Sequence, residues 1–94
     1  FQLLYLWLPS AELAIARVKT RVRLGGHDVP EGTIRRRYHA GLKNFFSLYA
    51  PLANSWAFYD NGEAKAPMLI AACHDTHVTV RRKEVWQQIQ EAYA

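Results

Sequence analysis

Phe1-Gln2-Leu3-Leu4-Tyr5-Leu6-Trp7-Leu8-Pro9-Ser10 is an almost unbroken apolar run that stops at a proline and a serine. It is too short to cross a bilayer. It is as hydrophobic as a signal-peptide core, but no basic stretch precedes it and no small-residue cleavage site follows. A run of this length ended by a breaker is the pattern of a strand covered on both faces, the kind found in parallel sheets. A buried strand is an odd place for a chain to begin, and there is no initiator Met. Ninety-four residues allow one domain at most. The expectation is therefore a single fragment, residues 1–94, with the N-terminal half of its domain missing.

Beyond the strand the period changes. Ser10 suits a helix N-cap and Glu12 complements the dipole of the first turn. Ala11, Ala14, Ile15, Val18 and Val22 then fall on one helical stripe. Arg17 and Arg21 lie on one flank of that stripe, Lys19 and Arg23 on the other. Leu24-Gly25-Gly26 should close the helix, because glycine adopts the left-handed conformation a helix end requires. Pro30 suits the first position of a second helix, with Glu31 beside it. That helix is predicted to run to about Ala50, before Pro51, with Ile34, Tyr38, Leu42, Phe45, Tyr49 and Leu52 inward and Arg36, His39 and Lys43 outward.

The remainder reads as strands and one helix. Trp56-Ala57-Phe58-Tyr59 runs into the turn Asp60-Asn61-Gly62, and Pro67-Met68-Leu69-Ile70-Ala71-Ala72 is a second strand. His77-Val78-Thr79-Val80 suits a short edge strand. Arg82 to Ala94 is predicted helical, with Val85, Trp86, Ile89 and Tyr93 inward. The order of strand, two helices, two to three strands and a helix is α/β in character.

Half of the residues are hydrophobic and 13% aromatic, which excludes a disordered chain. The net charge of +4 and pI near 9.5 favour anionic partners without choosing among them. A single cysteine, Cys73, excludes an intrachain disulfide and fits a reducing, cytoplasmic setting.

The basic charge is concentrated. Seven of the twelve Lys+Arg side chains lie between Arg17 and Arg37, on the two helices that flank Gly25-Gly26-His27. Arginine holds phosphate oxygens bidentately, so a helix–turn–helix of this kind reads as a lid over a phosphorylated ligand. No glycine-rich phosphate loop occurs in the chain.

Four blocks carry a resemblance: Leu6-Trp7-Leu8-Pro9-Ser10-Ala11-Glu12-Leu13-Ala14-Ile15-Ala16-Arg17-Val18, Arg21-Val22-Arg23-Leu24-Gly25-Gly26-His27-Asp28-Val29-Pro30, Ile34-Arg35-Arg36-Arg37-Tyr38 and Trp56-Ala57-Phe58-Tyr59-Asp60-Asn61. They resemble the C-terminal half of zeta-toxin-like P-loop NTPases and their "predicted ABC-type ATPase" relatives, over roughly residues 3 to 72. The resemblance implies a partial three-layer, P-loop kinase-like fold. It also implies a parent protein that transfers the γ-phosphoryl group of ATP, with Mg²⁺, to a small hydroxylated acceptor. The better-understood toxins phosphorylate a UDP-linked amino sugar. The phosphate loop, its lysine and the magnesium-binding hydroxyl belong to the other half of such a domain, so this chain alone should be inactive.

Within that frame Arg23 and Arg36 are the first candidates for catalytic contacts to ATP phosphates, stabilising transferred charge without titrating. Arg21, Arg35 and His27 are the next candidates, as nucleotide contacts. The competing assignment puts these arginines on solvated faces or in pairs with Glu12, Asp28 and Glu31. For His27 the competing role is capping or packing.

Other features point elsewhere less firmly. Cys73-His74-Asp75-Thr76-His77 holds ligand-type side chains at a spacing that matches no zinc signature, and a polar loop between strands is the simpler reading. Asp60-Asn61 ends a strand where α/β folds often place ligand contacts, although a turn role is favoured. Tyr38, Phe45, Phe46 and Tyr49 lie among basic residues but keep largely to the buried stripe, which disfavours nucleic acid. An unguarded strand edge would favour pairing with a second copy, a non-enzymatic alternative.

Overall fold

The structure, a computed structural model, describes residues 1–62 and 66–94. Strand β1 (Gln2–Trp7) leads through helix α1 (Ala11–Arg23) and helix α2 (Glu31–Asn44) into a wide π turn (Phe45–Tyr49) and a short helix α3 (Ala50–Leu52). Strands β2 (Ser55–Asp60), β3 (Met68–His74) and β4 (His77–Val80) follow, and helix α4 (Lys83–Tyr93) ends the chain. The four strands form one mixed sheet in the order β1-β2-β3-β4. β1 and β2 are parallel, and the other neighbours are antiparallel. No helix among the described residues is long and apolar enough to cross a membrane.

Alternation along the strands sorts the side chains to two faces. Leu3, Tyr5, Trp7, Trp56, Phe58, Ala71 and Val80 pack against Leu42 and Phe45 from α2 and its π turn, and against Trp86 and Ile89 of α4. This layer is largely aromatic. Phe58 lies 4.9 Å from Tyr5, 5.0 Å from Trp86 and 5.1 Å from Phe45, centroid to centroid. The opposite face is different. Leu4 and Leu6 are 61% and 49% exposed. The double coverage expected of β1 is therefore corrected to one covered face, because the core helices pack on the same side of the sheet. Among the described residues the fold is mixed α/β with two layers at this strand, not three.

A register shift between Phe58 and Tyr59 inserts Ile70 as an extra residue in β3, fully buried. Its carbonyl accepts from the amides of Arg81 (2.8 Å) and Arg82 (3.3 Å), which turns the chain from β4 into α4.

The second helix follows its predicted stripe through Ile34, Tyr38, Leu42 and Phe45 and then departs from it. Tyr49 is 44% exposed and Leu52 70% exposed, whereas Phe46 and Ala50 pack on the core. Pro51 is the physical reason. It has no N–H for the preceding turn, and its ring crowds the carbonyl four residues back. The helix widens instead, with the Ala50 amide bonding to Phe45, five residues away. The extra residue moves the inward face on by one position.

Tyr5 gives the sheet a pH limit. Burial, then the neighbouring Tyr38 and Tyr93, pushes its hydroxyl from 10.0 up to about 12. A raised folded value means the native state holds this proton more tightly than the unfolded chain does. The stabilising contribution is complete below pH 10.0 and is lost as pH rises toward about 12. Denaturant midpoints measured across that window are expected to fall, and less steeply in Tyr5→Phe. An identical slope in the variant would show that Tyr5 is not responsible.

Candidate functional site

Helices α1 and α2 form an antiparallel hairpin whose ends are set by local chemistry. The Ser10 hydroxyl accepts from the Leu13 amide at 3.1 Å and starts α1. Gly25, at φ 102°, closes it. Its amide bonds the Val22 carbonyl at 3.0 Å and the Gly26 amide bonds the Arg21 carbonyl at 2.8 Å, a Schellman arrangement. A Cβ on residue 26 would sit 3.0 Å from that same carbonyl oxygen, so the turn that ends α1 also fixes the backbone of Arg21.

Two exposed ion pairs staple the hairpin. Arg35 Nη1 donates to Glu12 Oε1 at 2.8 Å, and Lys19 Nζ lies 2.5 Å from Glu31 Oε1. Hydrogen bonding from Arg35 holds Glu12 below its ordinary carboxylate value, and Lys19 does the same for Glu31. Two of the three acids named as partners for the cluster, Glu12 and Glu31, are thus already paired, with Arg35 and Lys19. Arg23 Nη2 donates to the Thr20 hydroxyl of its own helix at 3.2 Å. Arg36 and His27 are exposed, the first on the outer face of α2 and the second in the link between the helices.

Between the helices and the end of β1 lies a cleft of about 490 Å³, lined by Arg17 and Arg21 of α1 and Arg37 of α2. Leu6, Leu8, Val18, Val29 and Ile34 supply apolar walls, and Asn61 reaches it from the end of β2. Of the five residues singled out from the sequence, Arg21 lines this cleft, while Arg23, Arg35, Arg36 and His27 do not. Arg17 and Arg37, part of the cluster but not singled out within it, line the cleft as well. The signal for Arg17 was present, since it shares Arg21's flank of the stripe. Arg37 becomes identifiable only once the crossing of α1 and α2 is known.

Tyr38 closes one side of the cleft. Its hydroxyl donates to the Leu8 carbonyl at 2.6 Å and ties α2 to the carboxyl end of β1. Burial, then Tyr93, pushes its pKa up to about 12, so it remains a donor. At the end of β2, Asp60 is buried. Its Oδ1 accepts from the Gly62 amide (2.8 Å) and its Oδ2 from Arg82 Nη1 (2.9 Å), which is the work of a turn and an anchor. Gly62 is required by contact, because a Cβ there would lie 2.7 Å from the Pro9 ring. The Cys73–His77 segment forms the β3–β4 hairpin, in which His74 pairs with His77 and Asp75 takes φ 55°.

No family model, curated protein or solved structure matches this chain.

Proposed function

We propose that this chain is the arginine-bearing lid part of a zeta-toxin-like P-loop kinase. Arg17, Arg21 and Arg37 would hold phosphate oxygens of ATP while the γ-phosphoryl group passes to a small hydroxylated acceptor. One observation carries the reading: among the described residues, three guanidinium side chains and no carboxylate line a single cleft. Like charges gathered in one concave site repel one another, and a polyanion relieves that repulsion. The same donor set offers nothing to Mg²⁺. Under this reading the metal, the phosphate loop and its lysine are held by another part of the kinase. Bound Mg²⁺ would supply neutralisation of the charge that develops on the transferred group; the arginines would bind and orient the phosphates and exclude water as the hairpin closes.

Calorimetric titration of the chain with tripolyphosphate tests the binding step. The expected result is saturable binding that weakens steeply with added salt, because the contacts are solvent-accessible charges. Absence of binding at low salt would remove the cleft from the proposal. Radiolabelled phosphate transfer by a longer polypeptide that contains this segment tests the kinase activity.

A second reading rests on β1. Its outer edge is unpaired among the described residues, and Leu4 and Leu6 lie exposed beside it. Such an edge recruits another strand, here from a second copy of the chain. Light scattering separates the two readings: a monomer that persists at high concentration removes self-association.

A further inference from the structure

A second cleft, of about 550 Å³, lies on the other side of Tyr38, between the end of β1, α2 and α4. Its volume falls within the range of small-molecule sites. Its position, at the carboxyl ends of the parallel pair β1 and β2, is where α/β folds commonly bind ligands. We propose that this cleft binds an uncharged, planar heteroaromatic ring of the nucleobase type. The proposal goes beyond the phosphate reading and does not depend on it.

The walls and the charge select that ligand class. Trp7, Tyr38 and Tyr93 line the cleft with aromatic surface, and base–aromatic stacking accepts any flat ring. Among the described residues the one cation lining it, Arg82, is matched by the buried carboxylate of Asp60 at 2.9 Å. That described lining therefore offers no net charge for an anion, unlike its arginine-lined neighbour. The Gln88 amide, also in the lining, supplies one donor group and one acceptor for a ring edge. Tyr38, having donated its proton to Leu8, retains an acceptor lone pair.

These groups are held before any ligand arrives. His39 Nδ1 lies 2.6 Å from the Tyr93 hydroxyl and stacks on its ring at 5.9 Å. The Asn61 amide donates to the Trp7 carbonyl at 2.7 Å, which fixes the backbone that presents the indole. Preorganisation of this kind reduces the ordering cost of binding.

The test is a nuclear magnetic resonance titration of the chain with phosphate-free nucleosides: adenosine, guanosine, cytidine and uridine. At least one is expected to shift the Trp7 indole N–H and the Gln88 side-chain amide saturably. Tyr93→Leu, which keeps apolar packing but removes a stacking ring, should weaken binding about tenfold. Gln88→Ala alters an exposed side chain without disturbing the core and should weaken it by a smaller factor. If no nucleoside shifts Trp7, or if both variants bind like the wild type, the ring site is overturned. Tripolyphosphate in a parallel titration keeps the two proposals separate. Binding of tripolyphosphate alone leaves the arginine cleft and removes this site; binding of a nucleoside alone does the reverse.

Discussion

Replacing Arg21 and Arg37 together by alanine is expected to weaken tripolyphosphate binding about a hundredfold. Each guanidinium contributes a charge-assisted hydrogen bond of at least ~1.5 kcal/mol, roughly a factor of ten. Arg21 comes from the last turns of α1 and Arg37 from α2, so the pair removes one wall of cation from each side of the cleft. In a longer polypeptide that contains this segment, the kinase proposal predicts that the same substitutions reduce phosphoryl transfer by about 10³ or more, the scale on which an arginine acts on transferred charge. Calorimetry measures the first effect and radiolabelled transfer the second. The Arg23→Ala, Arg36→Ala pair is the decisive comparison, since neither residue lines the cleft. That pair is expected to bind tripolyphosphate within about threefold of wild type, as for exposed charges away from a site. A larger loss there than in the Arg21, Arg37 pair would move the phosphate contacts to the outer helix faces.

The second large effect concerns the core. Phe58→Ala is expected to destabilise the fold by about 3–5 kcal/mol, the cost of deleting a buried aromatic ring and leaving a cavity. Phe58 is fully buried, and its ring meets Tyr5, Phe45 and Trp86, so one deletion loosens the contact between β1, the π turn and α4 together. A domain of this size is stable by only about 5–14 kcal/mol. The melting temperature should fall by roughly 15–30 °C. Thermal unfolding followed by near-ultraviolet circular dichroism measures the change. Phe58→Leu retains most of the volume and should lose roughly half as much or less. Equal losses in the two variants would show that the aromatic geometry, rather than the filled volume, holds these elements together.

Much of the secondary structure was legible because it depends on short-range rules. The stripe Ala11, Ala14, Ile15, Val18, Val22 lies buried or half-buried on α1, and Val85, Trp86, Ile89 and Tyr93 do so on α4. The Ser10 cap and the Gly25 stop act within a turn of their own positions, and both are seen. His77–Val80 is the edge strand that its pattern suggested. The errors occur where a distant or cumulative effect takes over. A straight helical period cannot anticipate the residue that the π turn adds before Pro51, so Tyr49 and Leu52 were assigned to the wrong side. An apolar run cannot reveal how many of its faces will be covered. The Leu4 and Leu6 side of β1 looked buried only because its residues are hydrophobic.

The arginine cluster shows the same division. Composition and spacing placed seven cations around one glycine hinge and indicated an anion. Which of them share a cleft depends on the rotation of two helices about their contact, across which Glu12–Arg35 and Lys19–Glu31 pair. Those pairs occupy Arg35 and two nearby acids, while Arg17 and Arg21 of α1 and Arg37 of α2 line one cleft. The aromatic cleft beyond Tyr38 was not visible at all. Trp7, Tyr38, Gln88 and Tyr93 are separated by most of the chain and meet only when α4 returns against the end of β1. The sequence by itself determined the elements, their caps and the location of the charge, because those follow from neighbours within a few residues. Only the tertiary structure decided which faces are covered and which side chains converge, because convergence is set by how the helices cross the sheet.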